Sequence, residues 1–536
     1  MILNWRIKGT DETGAVNKEG KAENIETVLS CTVHFDSETV LDEVTGTIAL
    51  PIRKNDHIFI NGYQTWTVCP EYTQEDHIRG LHGVPKMIVD RFSLDRYGDY
   101  HFVQYPNKKG ILHGESYMYI RTGQEYLLIA SLDEKPGYTL FEMDCNKGIL
   151  SLKRDCHGVH AGNEMKAFDL FVQKGSEEEV FDAWTEAMHI QTNAEKLYGY
   201  SSWYNRYQNI NEEAIMQDLE GCRQIFKEED LFQIDDGWEC YVGDWLKADE
   251  KKFPKGMKYI AEKIHADGLK AGLWLAPFAA EEKSELMQQH SDWLLQTDGK
   301  PWKCGCNWSG FYALDIDHPG VQEYLKEVFT RVFNEWGFDL VKLDFLYAAA
   351  PFGNTAESRA GRMIKAMQML RELCGDHLIL GCGVPVMPAF GLVDYCRISC
   401  DVSLDWNDKP HMRILHRERN STKHALMNII SRRELNRRVY LSDPDVFFLR
   451  SENCKLTYEQ KALLASTDAL LGGVFLTSDN PSAYTEDMKK QYQRYRHLAE
   501  NAEDVHVTME ENGDCEITYT MDGRQCNMTI DHRLLK

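Results

Sequence analysis

The stretch Asp339-Leu-Val-Lys-Leu-Asp-Phe345 is a short apolar strand pattern that ends in a carboxylate. It follows a helical pattern over 318–336, and from Leu197 onward similar strand patterns alternate with longer helical ones. Such alternation is typical of βα units that build a parallel sheet. We therefore predict an α/β domain over residues 190–490.

Eight strands are predicted in this region, which is the number that closes a (β/α)8 TIM barrel. They cover residues 197–204, 231–236, 270–277, 339–345, 378–384, 394–401, 438–443 and 472–477, and predicted helices between them include 212–226, 256–267, 318–336 and 356–374. A doubly wound open sheet is the alternative. The region lacks a Gly-rich phosphate turn, however, since Gly381-Cys-Gly383 is not followed by the remaining glycine of a dinucleotide fingerprint.

β-rich segments flank the predicted barrel on both sides. Residues 1–180 alternate short strand patterns with Asn-Gly, Lys-Gly and Pro-Gly breaks, which indicates an antiparallel sandwich. Residues 500–536 contain further strand patterns and the hairpin signal Asp522-Gly523. The predicted fold is a multidomain α/β chain with an N-terminal β-sandwich, a central barrel and a small C-terminal β-sheet.

Composition limits the possible partners. A formal net charge of −24 over 536 residues argues against nucleic acid or an anionic membrane surface, and it is compatible with a neutral substrate such as a carbohydrate. No signal pattern follows Met1, and no run approaches the ~18 apolar residues of a spanning helix. The 15 scattered cysteines indicate free thiols in a reducing compartment, so we expect a cytoplasmic protein. Oligomeric state does not follow from the sequence.

Polar or aromatic residues recur at the predicted carboxyl ends of the strands, where barrel enzymes place their functional groups. These residues are Trp203-Tyr204, Asp235-Asp236-Gly-Trp238, Trp274, Lys342 with Asp344, Cys382, Arg397 with Asp401, and Asp443-Pro-Asp445. The recurrence predicts a site at this end of the barrel. Cys304-Gly-Cys306 and Cys240 do not have zinc-ligand spacing, so a metal site is not predicted.

Two of these carboxylates suggest acid chemistry on a polar substrate. Alternate residues of a strand share a face, so Lys342 and Asp344 are predicted to point the same way, as are Arg397 and Asp401. Lys342 is expected to keep Asp344 ionised, as a nucleophile at an anomeric carbon must be. Asp401 is expected to retain a proton for the leaving oxygen. The alternative is that both are structural ion pairs.

Asp235 and Asp236 are adjacent, so both can reach a ligand only where the strand breaks, and Gly237 supplies that break. Together they could accept hydrogen bonds from several sugar hydroxyls. The alternative is a turn that caps the next helix. Trp203, Trp238 and Trp274 could form apolar walls against a sugar ring, although each one alone is more often a packing residue.

The chain resembles glycoside hydrolase family 36, the α-galactosidase (melibiase) family, across the whole predicted barrel. The resemblance is carried by Gly199-Tyr-Ser-Ser-Trp-Tyr204, Gln233-Ile-Asp-Asp-Gly-Trp238, Gly243-Asp-Trp245, Lys252-Phe-Pro-Lys-Gly256, Gly272-Leu-Trp-Leu-Ala-Pro277, Lys342-Leu-Asp344, Arg397-Ile-Ser-Cys-Asp401 and Asp443-Pro-Asp-Val446. Asn61-Gly-Tyr-Gln-Thr-Trp66 also resembles a family element from a sandwich loop that reaches over the barrel mouth.

The resemblance implies a retaining hydrolase of terminal α-linked galactose, with Asp344 as nucleophile and Asp401 as acid/base. It implies that Asp235 and Asp236 bind the 4- and 6-hydroxyls of galactose. Other positions of the sugar subsite are implied to be Lys342, Arg397 and Cys382. It implies neither a metal nor an organic cofactor.

Two segments depart from the family pattern. Many members have Glu where this chain has Ala276 before Pro277, and many have Gly or Ser after the cysteine where this chain has Gly383-Val384-Pro385. The second segment lies near the 2-substituent of the sugar in the family. An α-N-acetylgalactosaminidase and a galactosyl transferase of the raffinose-synthase type therefore stay as alternatives. A non-catalytic carbohydrate-binding protein and a metal-dependent barrel enzyme are weaker ones.

Overall fold

Residues 1–410, 412 and 417–535 are described by the computed structural model. In the N-terminal part, two antiparallel sheets enclose one apolar core. One sheet contains, in spatial order, Gly14–Glu23, Ile2–Asp11, Thr39–Ala49, Ile149–Arg154, Thr139–Asp144 and Ile111–Glu115, with His160–Ala161 beside Thr39–Ala49, and the other contains Val28–His34, Glu164–Gly175, Glu125–Ser131, Tyr117–Thr122 and His57–Ile60. The predicted sandwich is confirmed.

Period-2 patterning explains these strands. In Ile2–Asp11, Leu3 and Ile7 are fully buried, whereas Asn4 and Lys8 on the opposite face are exposed. Strands that bury one face and wet the other are expected of an antiparallel sandwich. Between His57–Ile60 and Ile111–Glu115 the chain leaves the sandwich, forms the short helix Lys86–Phe92, and returns.

The central region is a closed parallel barrel. Its eight strands are, in chain order, Leu197–Ser201, Leu231–Ile234, Lys270–Leu275, Leu340–Leu343, Leu378–Gly381, Tyr395–Arg397, Leu441–Asp443 and Val474–Thr477. Each pairs in parallel with the next through the seventh, and the eighth pairs in parallel with the first. The Gly473 N–H donates to the Ser442 carbonyl at 2.8 Å, and the extra strand Val446–Phe447 pairs with the eighth strand, so the seventh and eighth strands close the ring. The predicted barrel is confirmed, and the open-sheet alternative is wrong.

Helices surround the barrel, and four of them were predicted from the sequence: Glu212–Cys222, Gly256–Ala266, Pro319–Thr330 and Arg359–Cys374. The surrounding helices are Trp203–Arg206, Glu212–Cys222, Gly256–Ala266, Glu285–Gln289, Pro319–Thr330 (continued by the π-helical Arg331–Trp336), Arg359–Cys374, Thr422–Ser431, Tyr458–Leu471 and Glu486–Asn501, with Glu177–Ala187 joining the sandwich to the barrel.

Most predicted strands run two to four residues past their observed carboxyl ends. The chain turns sharply there: φ is 113° at Gly237, 53° at Phe345 and 56° at Gly383. Positive φ ends a strand, because extended backbone requires negative φ. Asp401 is the largest such correction, since the sixth strand ends at Arg397 and Asp401 lies in irregular backbone.

Two small sheets complete the described structure. An unpredicted insertion after the third barrel strand contains Ala279–Glu281, Phe311–Ala313 and Lys303–Gly305, with the hairpin Gln296–Thr297 and Lys300–Pro301. The predicted C-terminal sheet is confirmed as Glu503–Met509, Cys515–Met521 and Arg524–Ile530, followed by His532–Leu535. Asp522 and Gly523 both have positive φ, as the predicted hairpin turn requires. Among the described helices, none has the length and apolar character to cross a membrane.

Candidate active site

A cavity of about 890 Å³ opens at the carboxyl ends of the barrel strands. Its lining brings together the four aspartates and the lysine singled out in the sequence, namely Asp235, Asp236, Asp344, Asp401 and Lys342, together with Trp203 and Trp274. Side chains from the ends of five strands therefore face one space, as expected where a barrel carries its functional groups.

Asp344 follows the fourth strand directly and is buried. Its N–H donates to the Leu275 carbonyl at 2.9 Å, while its carboxylate accepts from the Trp274 indole N–H at 3.1 Å and the Phe345 N–H at 2.8 Å. Burial raises the pKa of Asp344, whereas Lys342, the Cys382 thiol and the Trp274 indole N–H lower it. The site holds this carboxylate rigidly in a mostly dry environment.

Lys342 is paired with a different carboxylate from the one predicted. Its Nζ donates to Asp235 Oδ2 at 2.8 Å, and both side chains are buried. Lys342 lowers the pKa of Asp344 through space, as expected, but burial is the larger effect and the net shift of that pKa is upward. The reason for the different pairing is geometric, because Asp235 on the second strand lies within reach of the ammonium.

Asp235 and Asp236 lie where the second strand breaks, as predicted. The Asp235 N–H donates to Ser202 Oγ at 2.9 Å, and Gln233 Nε2 donates to Asp235 Oδ2 at 2.7 Å. Asp236 Oδ2 accepts from Gln208 Nε2 at 2.8 Å and from the Trp308 indole N–H at 2.9 Å. Both carboxylates are thus fixed by donors on neighbouring elements and do not merely cap a helix.

Asp401 is the more open member of the predicted catalytic pair, with 34% of its side chain exposed. Arg397 Nη1 lies 3.0 Å from Asp401 Oδ1, so the ion pair that the structural alternative expected is present. Asn420 Nδ2 donates to the other carboxylate oxygen at 3.1 Å. Asp344 is buried and Asp401 is in contact with solvent, so the two carboxyl groups of one cavity have contrasting environments.

Arg397 and Cys382 do not line the cavity, contrary to the prediction. The Arg397 guanidinium also contacts Asp443 and Asp445, and Cys382 Sγ accepts from the Trp66 indole N–H at 3.3 Å. Both residues are almost fully buried, and their polar atoms contact other side chains. They therefore lie behind the lining and support it.

The aromatic lining was predicted in part. Trp203 and Trp274 line the cavity, but Trp238 is fully buried and its indole N–H donates to the Trp274 carbonyl at 2.9 Å. The suggestion that Trp238 forms a sugar wall is therefore wrong. Trp308 and Phe345 also line the cavity and were not predicted. Trp308 lies in the insertion, which carries no strand-end pattern that could have indicated it.

The excursion from the sandwich supplies one wall of the cavity. Trp66, Ile88, Phe92, Leu94 and Tyr97 line it. The Tyr97 hydroxyl donates to Asn307 Oδ1 at 2.6 Å and accepts from the Cys306 N–H at 2.9 Å, which ties this wall to the barrel insertion. Only the position of Trp66 was indicated by the sequence; Glu418 and Asn420, from a later loop, were not.

No cysteine belongs to a potential metal cluster among the described residues. Cys304 is buried and Cys240 and Cys306 are exposed. The one group of three potential ligands in the described part of the chain is Asp514, Asp531 and His532, which belongs to the C-terminal segment and not to the cavity lining.

Comparison with known proteins gives matches on this same barrel. The sequence model of the Melibiase family matches residues 195–370. Alpha-galactosidase 1 of Pediococcus pentosaceus is 28% identical over 159 residues, which are 28% of this chain and 21% of that protein. Alpha-galactosidase Mel36A of Lactobacillus acidophilus is 29% identical over 152 residues, or 27% and 20% of the two chains. The aligned stretch spans only about a fifth of the length of these curated relatives.

The structural match extends over the whole chain. TtGalA, an alpha-galactosidase from Thermus thermophilus solved with p-nitrophenyl alpha-D-galactopyranoside, has a TM-score of 0.76 and 27% identity, with 96% of this chain and 100% of that chain covered. The GH36 alpha-galactosidase AgaA of Geobacillus stearothermophilus has a TM-score of 0.59 at 14% identity, over 96% and 75% of the two chains, and shares the fold. The sequence match over residues 195–370 and the structural match over 96% of the chain agree on one barrel: this barrel is similar to the Melibiase family, and the chain shares its fold with solved alpha-galactosidases.

Proposed function

We propose that this protein is a retaining α-galactosidase that removes terminal α-linked galactose from neutral oligosaccharides. The observation that carries the proposal is the contrast within one cavity between the buried, hydrogen-bonded Asp344 and the solvent-contacting Asp401. Retaining hydrolysis requires a pair of carboxyl groups at one glycosidic bond, and the hydrogen bonds that Asp344 accepts favour the ionised form that a nucleophile needs.

In the proposed mechanism, Asp344 attacks the anomeric carbon while Asp401 protonates the departing glycosidic oxygen. The C–O bond to the aglycone breaks as the bond to Asp344 forms, which gives a β-linked glycosyl-enzyme. Asp401, now a carboxylate, then removes a proton from water, and the water oxygen displaces Asp344 from the sugar. Two inversions return the α configuration.

The remaining lining residues are proposed to hold the sugar. Asp235 and Asp236 would accept hydrogen bonds from its hydroxyls, and Lys342, already bonded to Asp235, would donate to one. Trp274 and Trp203 would cover its apolar faces. Arg397 and Cys382 are proposed to act from behind the lining, and the proposal needs no metal or cofactor.

An α-N-acetylgalactosaminidase is the second candidate, with the same mechanism. The relative that bears on it is an A type blood alpha-D-galactosamine galactosaminidase of Flavonifractor plautii, 33% identical over 136 residues that are only 12% of that protein, and its name gives galactosamine and not the N-acetyl sugar. Against it, the Trp66 indole lines the cavity next to Gly383-Val384-Pro385, the segment that differs from the family pattern, and it donates to Cys382 Sγ at 3.3 Å. A transferase acting on sucrose is a third candidate, and no contact favours it.

A panel of p-nitrophenyl α-glycosides tests this proposal. The expected result is hydrolysis of the α-galactoside with at least tenfold higher kcat/KM than of its 2-acetamido analogue. Preference for the acetamide would replace the first candidate by the second, and no hydrolysis of either would contradict both. Transfer to sucrose in excess of hydrolysis in dilute acceptor would favour the third.

We also propose a cytoplasmic location. It is supported by the 15 cysteines, all of which are free thiols and most of which are buried. Labelling of unreduced cell extract with a thiol reagent tests this, because disulfide-bonded cysteines would contradict it.

A further inference from the structure

Arg397 joins the proposed acid/base to two further carboxylates at the end of the seventh strand. Its Nη1 lies 3.0 Å from Asp401 Oδ1, its Nε 3.1 Å from Asp443 Oδ2 and its Nη2 2.8 Å from Asp445 Oδ1. Arg397, Asp443 and Asp445 are each at most 3% exposed. One buried guanidinium therefore faces three carboxylates, two of which have no part in the proposed chemistry.

Asp445 also holds the backbone next to Asp401. Its Oδ2 accepts from the Val402 N–H at 2.9 Å and from the Tyr204 hydroxyl at 2.5 Å. Val402 directly follows Asp401, in a segment that is neither helix nor strand. Asp445 therefore reaches Asp401 by two routes, one through the Arg397 side chain and one through the main chain.

The backbone at Asp445 is strained. Its φ is 85°, outside the region that most side chains adopt, although Asp and Asn tolerate positive φ better than others. Conformations of this kind cost about 1–3 kcal/mol and persist where the surrounding contacts impose them. Here the imposing contacts are those to Arg397, Val402 and Tyr204.

We propose that Asp445 is a positioning residue for Asp401. Asp445 fixes the backbone next to Asp401 and balances the charge of Arg397, so that Asp401 can retain the proton it donates. The inference rests on the proposed function, because it requires Asp401 to be the acid/base.

The charges around Asp401 decide the sign of the expected effect. It is faced by the cation Arg397, the carboxylates Asp344 and Asp445, the phenols Tyr204 and Tyr207, and the thiols Cys382 and Cys400. Burial raises the pKa of Asp445 to about 7, so its carboxylate is charged on the alkaline side of that pH; removal of this charge leaves Arg397 less balanced, which favours ionised Asp401. An acid that ionises at lower pH is protonated over a narrower range.

Asp445→Asn tests the proposal, because it removes the charge, keeps the side-chain shape and tolerates positive φ. The alkaline limb of the kcat/KM profile reports ionisation of the acid in the free enzyme. We expect that limb to move to lower pH by roughly half a unit to one unit. We also expect the loss of kcat/KM to be at least tenfold larger for melibiose than for the p-nitrophenyl galactoside, since the poorer leaving group depends more on the proton.

Asp479→Asn is the matched control. Asp479 is fully buried just past the eighth strand and accepts from the Leu449 N–H at 2.6 Å and the Tyr484 hydroxyl at 3.0 Å, and its ion-pair partner is Arg450 and not Arg397. The alkaline limb of the kcat/KM profile of Asp479→Asn should match that of the wild type. Thermal midpoints of both variants separate changes in stability from changes in the profile.

An unmoved limb in Asp445→Asn, with equal losses on both substrates, would overturn the proposal. If that variant does not fold, Asp443→Asn removes charge from the same guanidinium, and a limb unmoved there would overturn it too. Absence of α-galactoside hydrolysis in the wild type is a different result, which contradicts the proposed function itself.

Discussion

The Asp344 carboxylate experiences opposing effects. Burial raises its pKa, and the carboxylate of Asp401 adds to that shift, while Lys342, the Cys382 thiol and the Trp274 indole N–H lower it. The proposed nucleophile must be ionised, so these groups set the acid limb of activity, below which Asp344 is protonated and inactive. The net direction is upward, because burial is the largest effect.

Trp274→Phe removes one of the groups that lower this pKa while keeping an aromatic ring. The pKa of Asp344 should rise further, so the acid limb of the kcat/KM profile should move to higher pH by about half a unit to one unit. Trp308→Phe is the control, because its indole N–H donates to Asp236 and not to Asp344. An acid limb that moves equally in both variants, or to lower pH in Trp274→Phe, would contradict this account.

For single residues, the sequence predicted which side chains line the cavity but not which of them form ion pairs with one another. Strand-end patterns identified Asp235, Asp236, Asp344 and Asp401 because each directly follows, or lies a few residues beyond, an apolar strand. The pairing of Lys342 with Asp235 was not predictable, because two-residue periodicity describes one strand and the partner lies on another. Trp308 was missed because it belongs to an insertion with no periodic pattern.

The turn after the fifth barrel strand shows how an element depends on one residue. Gly383 has a φ of 56°, and a Cβ there would lie 2.7 Å from the Trp66 ring and 3.1 Å from the Phe345 nitrogen. Gly375, after helix Arg359–Cys374, has a nearly identical φ of 57° and open space around it. Substitutions at these two glycines can therefore be compared: both place a side chain at positive φ, but only the one at Gly383 also displaces a cavity residue.

Gly383→Ala should lower kcat/KM at least tenfold, because the new methyl group displaces Trp66 or Phe345 from the cavity. Gly375→Ala should keep wild-type activity. Both should lose about 1–3 kcal/mol of unfolding free energy, because a side chain at positive φ is strained. Activity assays with urea unfolding of both variants check this. Equal activity in the two variants would mean that Trp66 is not needed at its observed position.

Element boundaries were the weakest part of the sequence-based prediction. The eight barrel strands and the long helices were placed correctly, since their periodicity extends over many residues. The strand ends were predicted too late, because Asp401 and Asp236 keep a strand-like pattern after the backbone has turned. Helix Lys86–Phe92 was missed, because it has no buried residue and so no apolar face directed toward a core.

At the scale of the whole molecule, Arg432 joins the sandwich excursion to the barrel. This arginine is 1% exposed, and it donates to Asn61 Oδ1 at 3.1 Å, the Thr65 carbonyl at 2.7 Å and the Ile398 carbonyl at 2.9 Å. One guanidinium thus fixes the loop that carries Trp66 against the backbone just past the sixth strand. Sequence patterns could not indicate this contact, which joins positions far apart in the chain.

Arg432→Met should lower the free energy of unfolding by about 3 kcal/mol, because several buried acceptors lose their donor. It should also lower kcat/KM, since Trp66 is no longer held. Arg438→Met is the control: that side chain pairs with Asp182 and Glu434 at the surface, and its loss should cost less than about 1 kcal/mol. Urea midpoints test this, and equal losses in both variants would contradict the assigned role of Arg432.

The central claim is that Asp344 forms a covalent bond to the sugar, and azide rescue of Asp344→Gly tests it most directly. The variant should be inactive on p-nitrophenyl α-galactoside, and added azide, entering the space left by the carboxylate, should restore release of nitrophenol. The account predicts that NMR of the product shows β-galactosyl azide. An α-galactosyl azide, or substantial activity of the variant without azide, would contradict it.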